Sequence, residues 1–232
     1  MFDEVLEIWS TNGVNAAVLF LNSQENAVAT AETYHKLMKD LYWQQKNVSD
    51  MVVVAQAGIE YGLSQARHFE ESEPQAAYDL RSWAKSIAYD LASFTWRGWD
   101  EPDIVITAAD EAAGLRAAVL NLELAKELEK GALRISRAYW ALGAQQLAAG
   151  ELLEAEESFS AGEKQADSVS EESDALLCRA YAALVACLRE PQNEALQANL
   201  TAVKQKLQEV EHGAYFVEQV ETAARVIGNW PD

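Results

Sequence analysis

Apolar side chains recur every three or four residues along most of this chain. Two clear runs are Leu80, Trp83, Ile87, Leu91 and Phe94, and Leu196, Leu200, Val203, Leu207 and Val210. This spacing places the side chains of each run on one face of an α-helix. The β-branched triplet at 52–54 is the most strand-like stretch, but Ala55 and Ile59 continue it with helical spacing. The pattern therefore predicts an all-α protein without a sheet.

Start and stop signals divide this pattern into about ten helices joined by short connections. The stretch 72–75, Ser-Glu-Pro-Gln, is typical of a capping box with proline in the first turn. The stretch 100–103, Asp-Glu-Pro-Asp, places acidic residues at another expected helix start. Gly131, Gly150 and Gly213 lie where helices are expected to end. Short connections make consecutive helices antiparallel neighbours.

The stretch 138–166, AYWALGAQQLAAGELLEAEESFSAGEKQA, predicts two short helices joined by a turn at Gly150. If Ser136 is the first position of a repeat, the positions that a helical hairpin needs are filled by Tyr139, Leu142, Gly143, Ala155 and Phe159. The small residues Gly143 and Ala155 allow two helices to approach closely, and the large rings fill the space between hairpins. This arrangement resembles the tetratricopeptide repeat (TPR), a helix–turn–helix unit.

The resemblance covers one repeat well and then weakens. Gln146 stands where the family usually has tyrosine, Gly162 replaces its late alanine, and Asp167 replaces its terminal proline. The next unit, from residue 170, has a longer turn at 190–193 than the family uses. The resemblance implies antiparallel helical hairpins that stack as a TPR-like right-handed superhelix.

We expect one helical domain over residues 1–232, with a soft internal boundary near residue 131. Residues 1–130 are expected to form long, irregularly arranged helices, because apolar side chains surround the stretch 103–128 on most sides. Residues 131–232 are expected to form the repeat-like half. The alternative is an ordinary irregular α-helical bundle.

The net charge of −19 narrows the classes of partner. Such an acidic chain disfavours binding to nucleic acid and to anionic membranes. Cys178 and Cys187 lie nine residues apart, which is about 13.5 Å along a helix and too far for a disulfide. The acidic start of the chain is unlike a secretory signal, and no apolar run is long enough to span a membrane. We therefore expect a cytoplasmic protein with reduced thiols.

Two Glu-x-x-His pairs, Glu32/His35 and Glu209/His212, are the strongest candidates for metal ligands. Pairs of this kind form the metal site of ferritin-like bundles when they point inward from facing helices. Here Glu32 falls on the polar face of its helix, and His212 is placed at a helix end before Gly213. We therefore expect no metal and no cofactor. No phosphate-binding glycine loop or nucleophile elbow occurs, so no enzymatic activity is expected.

Two sets of residues are candidates for binding a partner. The TPR resemblance implies that the first helix of each hairpin lines a groove, which places Arg137, Trp140, Leu147 and Tyr181 there. The second set is Trp96, Arg97 and Trp99, in an unusual loop between two long helices. These rings either plug the end of that hairpin or form an aromatic recognition surface, with Arg97 available to an anionic group.

These observations favour a non-enzymatic scaffold that holds a protein or peptide in a helical-repeat groove. Trp140 and Ala144 occupy the positions where one TPR subclass clamps a carboxylate terminus with lysine and asparagine, so that type of partner is disfavoured. The alternatives are a small-ligand or metal-binding helical bundle, and a structural subunit that forms a homodimer through its tryptophans.

Overall fold

The helical spacing of apolar residues produces helices throughout the described part of the chain. The computed structural model describes residues 1–228, and within them it contains eleven α-helices, one 3-10 helix and no strand. The predicted all-α class is confirmed, with eleven helices where the start and stop signals predict about ten. The helices are α1 (Phe2–Asn12), α2 (Val14–Asn22), α3 (Ala27–Trp43), α4 (Val48–Phe69), α5 (Pro74–Phe94), α6 (Ala108–Glu127), α7 (Ala132–Ala148), α8 (Leu152–Asp167), α9 (Glu172–Arg189), α10 (Glu194–Gln208) and α11 (Gly213–Gly228). No helix in this described part is long and apolar enough to cross a membrane.

Helices α1 to α6 form one compact unit, which comprises residues 1–95 and 103–128. Within it α4 packs along α3 and α5, and α6 packs along α5. The close packing of α4 on α3 depends on Gly58, because a Cβ at that position would lie 2.8 Å from Cβ of Tyr34. The Tyr34 hydroxyl donates to Oδ1 of Asn22 at 2.9 Å, and burial raises the pKa of this phenol.

The helix start predicted at residues 72–75 is confirmed, since α5 begins at Pro74, but its capping box is not formed, and two other predicted boundaries are wrong. The capping box is formed at Thr107 and Asp110, not at residues 72–75. The stretch 100–103 does not begin a helix, because Asp100 and Asp103 adopt positive φ angles of 51° and 63°, and α6 begins only at Ala108.

Gly213 is the second wrongly predicted boundary, since it begins α11 instead of ending α10. A Cβ on Gly213 would lie 2.1 Å from the carbonyl oxygen of Leu207, so glycine is needed there for close backbone approach. The turn before it is closed by His212, whose φ is 61°.

Helices α7 to α11 form a second compact unit, together with the segment Trp96–Pro102. Helices α7 and α8 pack along each other as an antiparallel hairpin, with Gly150 in the turn at a φ of 78°. The hairpin is close-packed because a Cβ on Gly143 would lie 2.9 Å from the ring of Phe159. Helix α9 packs along both α8 and α10, and α11 packs along α10.

Candidate functional site

Five aromatic side chains form a continuous cluster in the second unit: Trp96, Trp99, Trp140, Phe159 and Tyr181. The ring of Trp96 meets Trp140 edge-on at 5.6 Å between centroids and Tyr181 at 5.9 Å. Trp99 lies 5.6 Å from Trp140, and Phe159 stacks on Tyr181 at 5.1 Å. Edge-to-face and offset contacts at these distances are the favoured geometries of aromatic pairs. We call these five residues the aromatic cluster.

Helices of two consecutive hairpins, α7/α8 and α9/α10, bring the cluster together. Trp140 lies on α7, Tyr181 on α9 and Phe159 on α8, whereas both other tryptophans belong to the segment Trp96–Pro102. Helices α7 and α9 contact each other, as do α9 and α11. The 3-10 helix of the segment packs on α7 and most extensively on α11. We call the side of these three helices that contacts the segment the α7/α9/α11 face.

Polar contacts hold the segment at both of its ends. Nη2 of Arg97 donates to the carbonyl oxygen of Ala148, the last residue of α7, at 2.9 Å. That carbonyl belongs to the electronegative C-terminal end of the helix, which attracts a cation. At the other end, the carboxylate of Asp100 accepts from Nη2 of Arg225 on α11 at 2.9 Å.

Glycine at position 98 is required by the way the segment folds. The segment makes a short 3-10 turn, in which the amide of Asp100 donates to the carbonyl of Arg97. A Cβ on Gly98 would lie 2.3 Å from Cζ2 of Trp96, which is closer than real Cβ contacts allow. The Trp96 ring therefore covers the backbone of residue 98 directly.

The structure places most of the predicted site residues inside the second unit. Trp96, Trp140, Leu147 and Tyr181 are at most 7% exposed. Arg97 and Trp99 are half-buried. Their roles in binding a partner stay predictions, but the two predicted sets are shown to contact each other.

Arg137 differs from the other predicted residues because it is exposed. Its guanidinium binds the carboxylate of Asp174 with two hydrogen bonds, of 2.8 Å and 3.1 Å, and so links α7 to α9. At an exposed position, a bidentate ion pair of this kind fixes the relative position of the two side chains but adds little to stability.

Residues of α11 are the part of the site that sequence reasoning missed. Arg225 supplies the cation for Asp100, and Tyr215 lies near the segment. The pKa of Tyr215 is raised by burial and then by the nearby negative charge of Glu101. The helical spacing of Val220, Ala223 and Ile227 indicates a buried face on this helix, but it does not reveal what that face covers.

Two ionisable groups, the Tyr181 hydroxyl of the cluster and the buried Cys178 thiol, stay protonated at neutral pH. Complete burial raises the pKa of the Tyr181 hydroxyl well above its usual value. Burial also raises the pKa of the Cys178 thiol to about 12, against a smaller opposing effect of the hydrogen bond with Ser136. Both groups are therefore neutral in this site, and their burial makes them part of its packing.

A cavity of about 340 Å³ adjoins the Arg97 end of the segment. It is lined by the turn between α7 and α8, by Leu188 at the end of α9 and by Ile227 on α11. Most of its wall is apolar, and Arg97 brings a cation to it. This end of the segment therefore borders open space.

The residues predicted as candidate metal ligands contact other side chains. Oε1 of Glu32 pairs with Lys36 at 2.7 Å, and Nε2 of His35 lies 2.7 Å from Asp90 on α5. His212 is exposed and faces Glu211 at 3.6 Å. Among residues 1–228, no three histidine, cysteine, aspartate or glutamate side chains are grouped so that they could hold a metal ion.

Comparison of the chain with protein-family models, with curated proteins and with solved structures finds no match.

Proposed function

We propose that this protein is a non-enzymatic scaffold that binds a protein or peptide on a TPR-like stack of helical hairpins. The binding surface is the α7/α9/α11 face. This assignment keeps the class of function that the sequence favours, and it moves the contact surface from α7 and α9 alone to a face that includes α11.

One observation carries the proposal: the face holds a short segment that is remote in the sequence. The seven residues Trp96–Pro102 pack on helices that begin only at residue 132. Two tryptophans anchor the segment, and arginine contacts flank them. Tryptophan, tyrosine and arginine are the residues that dominate binding energy at protein interfaces. A face built to hold one such segment has the chemistry to hold another.

The hairpin packing supports the TPR-like arrangement. Gly143 lies at the close contact of α7 with α8, and Ala155 of α8 is fully buried, where this repeat type needs small residues. Each first helix contacts the next one, α7 with α9 and α9 with α11. Consecutive first helices in contact are the layer that such repeats use to hold ligands.

A peptide-display screen tests the proposal. The targets are the full-length wild type, its Gly98→Ala variant and an unrelated acidic helical protein. Gly98→Ala is included because the added Cβ weakens the hold of the face on its own segment. We expect peptides to be enriched on at least one form of this protein over the unrelated protein.

When Arg225→Glu is added to whichever form enriches peptides, its affinity for these peptides should fall at least about tenfold. Arg116→Glu, an exposed change on α6 of the other unit, should leave their binding unchanged. Absence of enrichment on both forms, or equal binding to the Arg225→Glu protein, would contradict the proposed function.

A further inference from the structure

The segment Trp96–Pro102 is bound to the second unit in the manner of a peptide ligand. Its first anchor, Trp96, is 1% exposed and contacts Trp140 and Tyr181. Its second anchor, Trp99, follows three residues later and contacts Trp140. Aromatic anchors that fill a pocket at a fixed spacing are a common basis of peptide recognition.

Charges around the anchors define the direction of the segment on the face. The cation of Arg97 lies at the C-terminal end of α7, where the helix dipole is negative. The anion of Asp100 lies against Arg225, and Glu101 lies near Tyr215. The reversed orientation would place the acidic residues at the negative end of α7. The face is therefore electrostatically complementary to this order of residues and not to its reverse.

We propose that Trp96–Pro102 is an internal ligand, and that the face binds outside peptides of the same chemistry by exchange with it. This inference rests on the proposed function and names the partner class: an aromatic residue, a cation, glycine, a second aromatic residue and then a carboxylate. The internal segment blocks the face until it is displaced. Because it is tethered, its effective concentration is in the millimolar range, so an outside peptide competes poorly with it.

A direct test is the binding of a fluorescein-labelled peptide, SFTWRGWDEPD, to the full-length protein. This peptide copies residues 93–103, and fluorescence anisotropy measures its affinity. The added Cβ of Gly98→Ala would lie 2.3 Å from the Trp96 ring and should weaken the packing of the internal segment, so this variant should bind the peptide at least about tenfold more tightly than the wild type does. Val105→Ala is the matched control, since Val105 lies in the same connection, is 77% exposed and is outside the segment. It should bind as the wild type does.

A charge exchange tests the direction of binding. In the Gly98→Ala background, Arg225→Glu should lower the affinity for the peptide. A peptide with lysine in place of the residue equivalent to Asp100 should regain affinity for this Arg225→Glu protein. A copy of the peptide in which alanine replaces both tryptophans should not bind.

A second variant keeps the proposal testable if Gly98→Ala loses its helical circular dichroism. Asp100→Lys breaks the exposed pair with Arg225 and changes no residue of the aromatic cluster. It should increase peptide binding at least about threefold over Val105→Ala. A folded Gly98→Ala protein that binds no better than the wild type overturns the inference, and so does an unchanged affinity of Asp100→Lys. Such a result leaves the proposed function standing if the display screen still yields peptides on this face.

Discussion

Residues without bulky side chains set the distances between helices in both units. Gly143 lies under the ring of Phe159, and Gly162 lies against Sγ of Cys178 and the carbonyl oxygen of Ser136. The Ser136 hydroxyl also donates to the carbonyl of Gly162 at 2.8 Å. In the first unit Gly58 has the same role beside Tyr34. Each of these positions excludes even one additional methyl group unless its neighbour moves.

Gly143→Ala should therefore lower the free energy of unfolding. The added methyl group meets the buried Phe159 ring at 2.9 Å, and overpacking of this kind costs about 1–3 kcal/mol. Alanine regains about 1 kcal/mol through its higher helix propensity, so the net loss should be about 0–2 kcal/mol. Urea denaturation measures it.

Gly228→Ala is the control for this substitution. Its Cβ would approach no atom closer than Cδ2 of Leu188, at 3.8 Å. It should leave the stability unchanged or slightly raised. If both substitutions have the same effect, the close packing at Gly143 is not what holds the hairpin together.

At the residue scale, the sequence predicts local packing well. The roles of Gly143, Ala155 and Phe159 follow from spacing within one hairpin: Gly143 and Phe159 meet between α7 and α8, and Ala155 is fully buried. The burial of Trp96 could not be predicted, because its partners Trp140 and Tyr181 are remote in the sequence. Hydrophobic patterns show that a side chain is buried but not what buries it.

At the scale of the helices, the aromatic cluster joins α7, α8 and α9 to the segment Trp96–Pro102. Trp140 is its central member, since its ring contacts Trp96, Trp99 and Tyr181. Arg137 links α7 to α9 at the surface through Asp174. The buried rings stabilise this contact between the helices and the segment more than the ion pair does, because an exposed ion pair contributes little to the free energy of folding.

Trp140→Ala should lower the free energy of unfolding by about 3–5 kcal/mol, since it leaves a large cavity among buried rings. Thermal unfolding followed by circular dichroism measures the change. Trp43→Ala is a suitable control, because Trp43 is 43% exposed and lies in the first unit. It should cost less than about 2 kcal/mol. Equal losses would mean that the aromatic cluster does not stabilise the second unit.

Helix bodies were predicted more accurately than helix ends. The apolar run from Leu80 to Phe94 lies wholly within α5, whereas the run from Leu196 to Val210 extends past the end of α10 at Gln208. The accuracy differs because the body of a helix is marked by an apolar stripe over many residues, whereas its end depends on a few backbone angles. The positive φ of His212 is one such angle, and its residue type does not reveal it.

At the scale of the whole molecule, the segment Trp96–Pro102 is the least predictable feature. It follows α5 in the sequence, yet its contacts are with the second unit. Such long-range contacts depend on tertiary structure, which periodicity does not encode. The sequence does mark the segment as unusual, because two tryptophans flank Arg97 and Gly98.

The net charge of −19 acts on the same scale. It raises the association rate of a positively charged partner and lowers that of an acidic one, and salt screens both effects. The partner class inferred from Trp96–Pro102 includes a carboxylate that meets Arg225, so this local pair has to outweigh the general repulsion.

Hydrogen–deuterium exchange of the full-length wild type tests most directly whether the face holds the segment. The amides of Trp99 and Asp100 donate to the carbonyls of Trp96 and Arg97, and Trp96 is buried by the aromatic cluster. These two amides should exchange at least about tenfold more slowly than the amide of the exposed Val105 in the same connection, and Gly98→Ala should remove the difference. Exchange of Trp99 and Asp100 as fast as that of Val105 in the wild type would contradict the account.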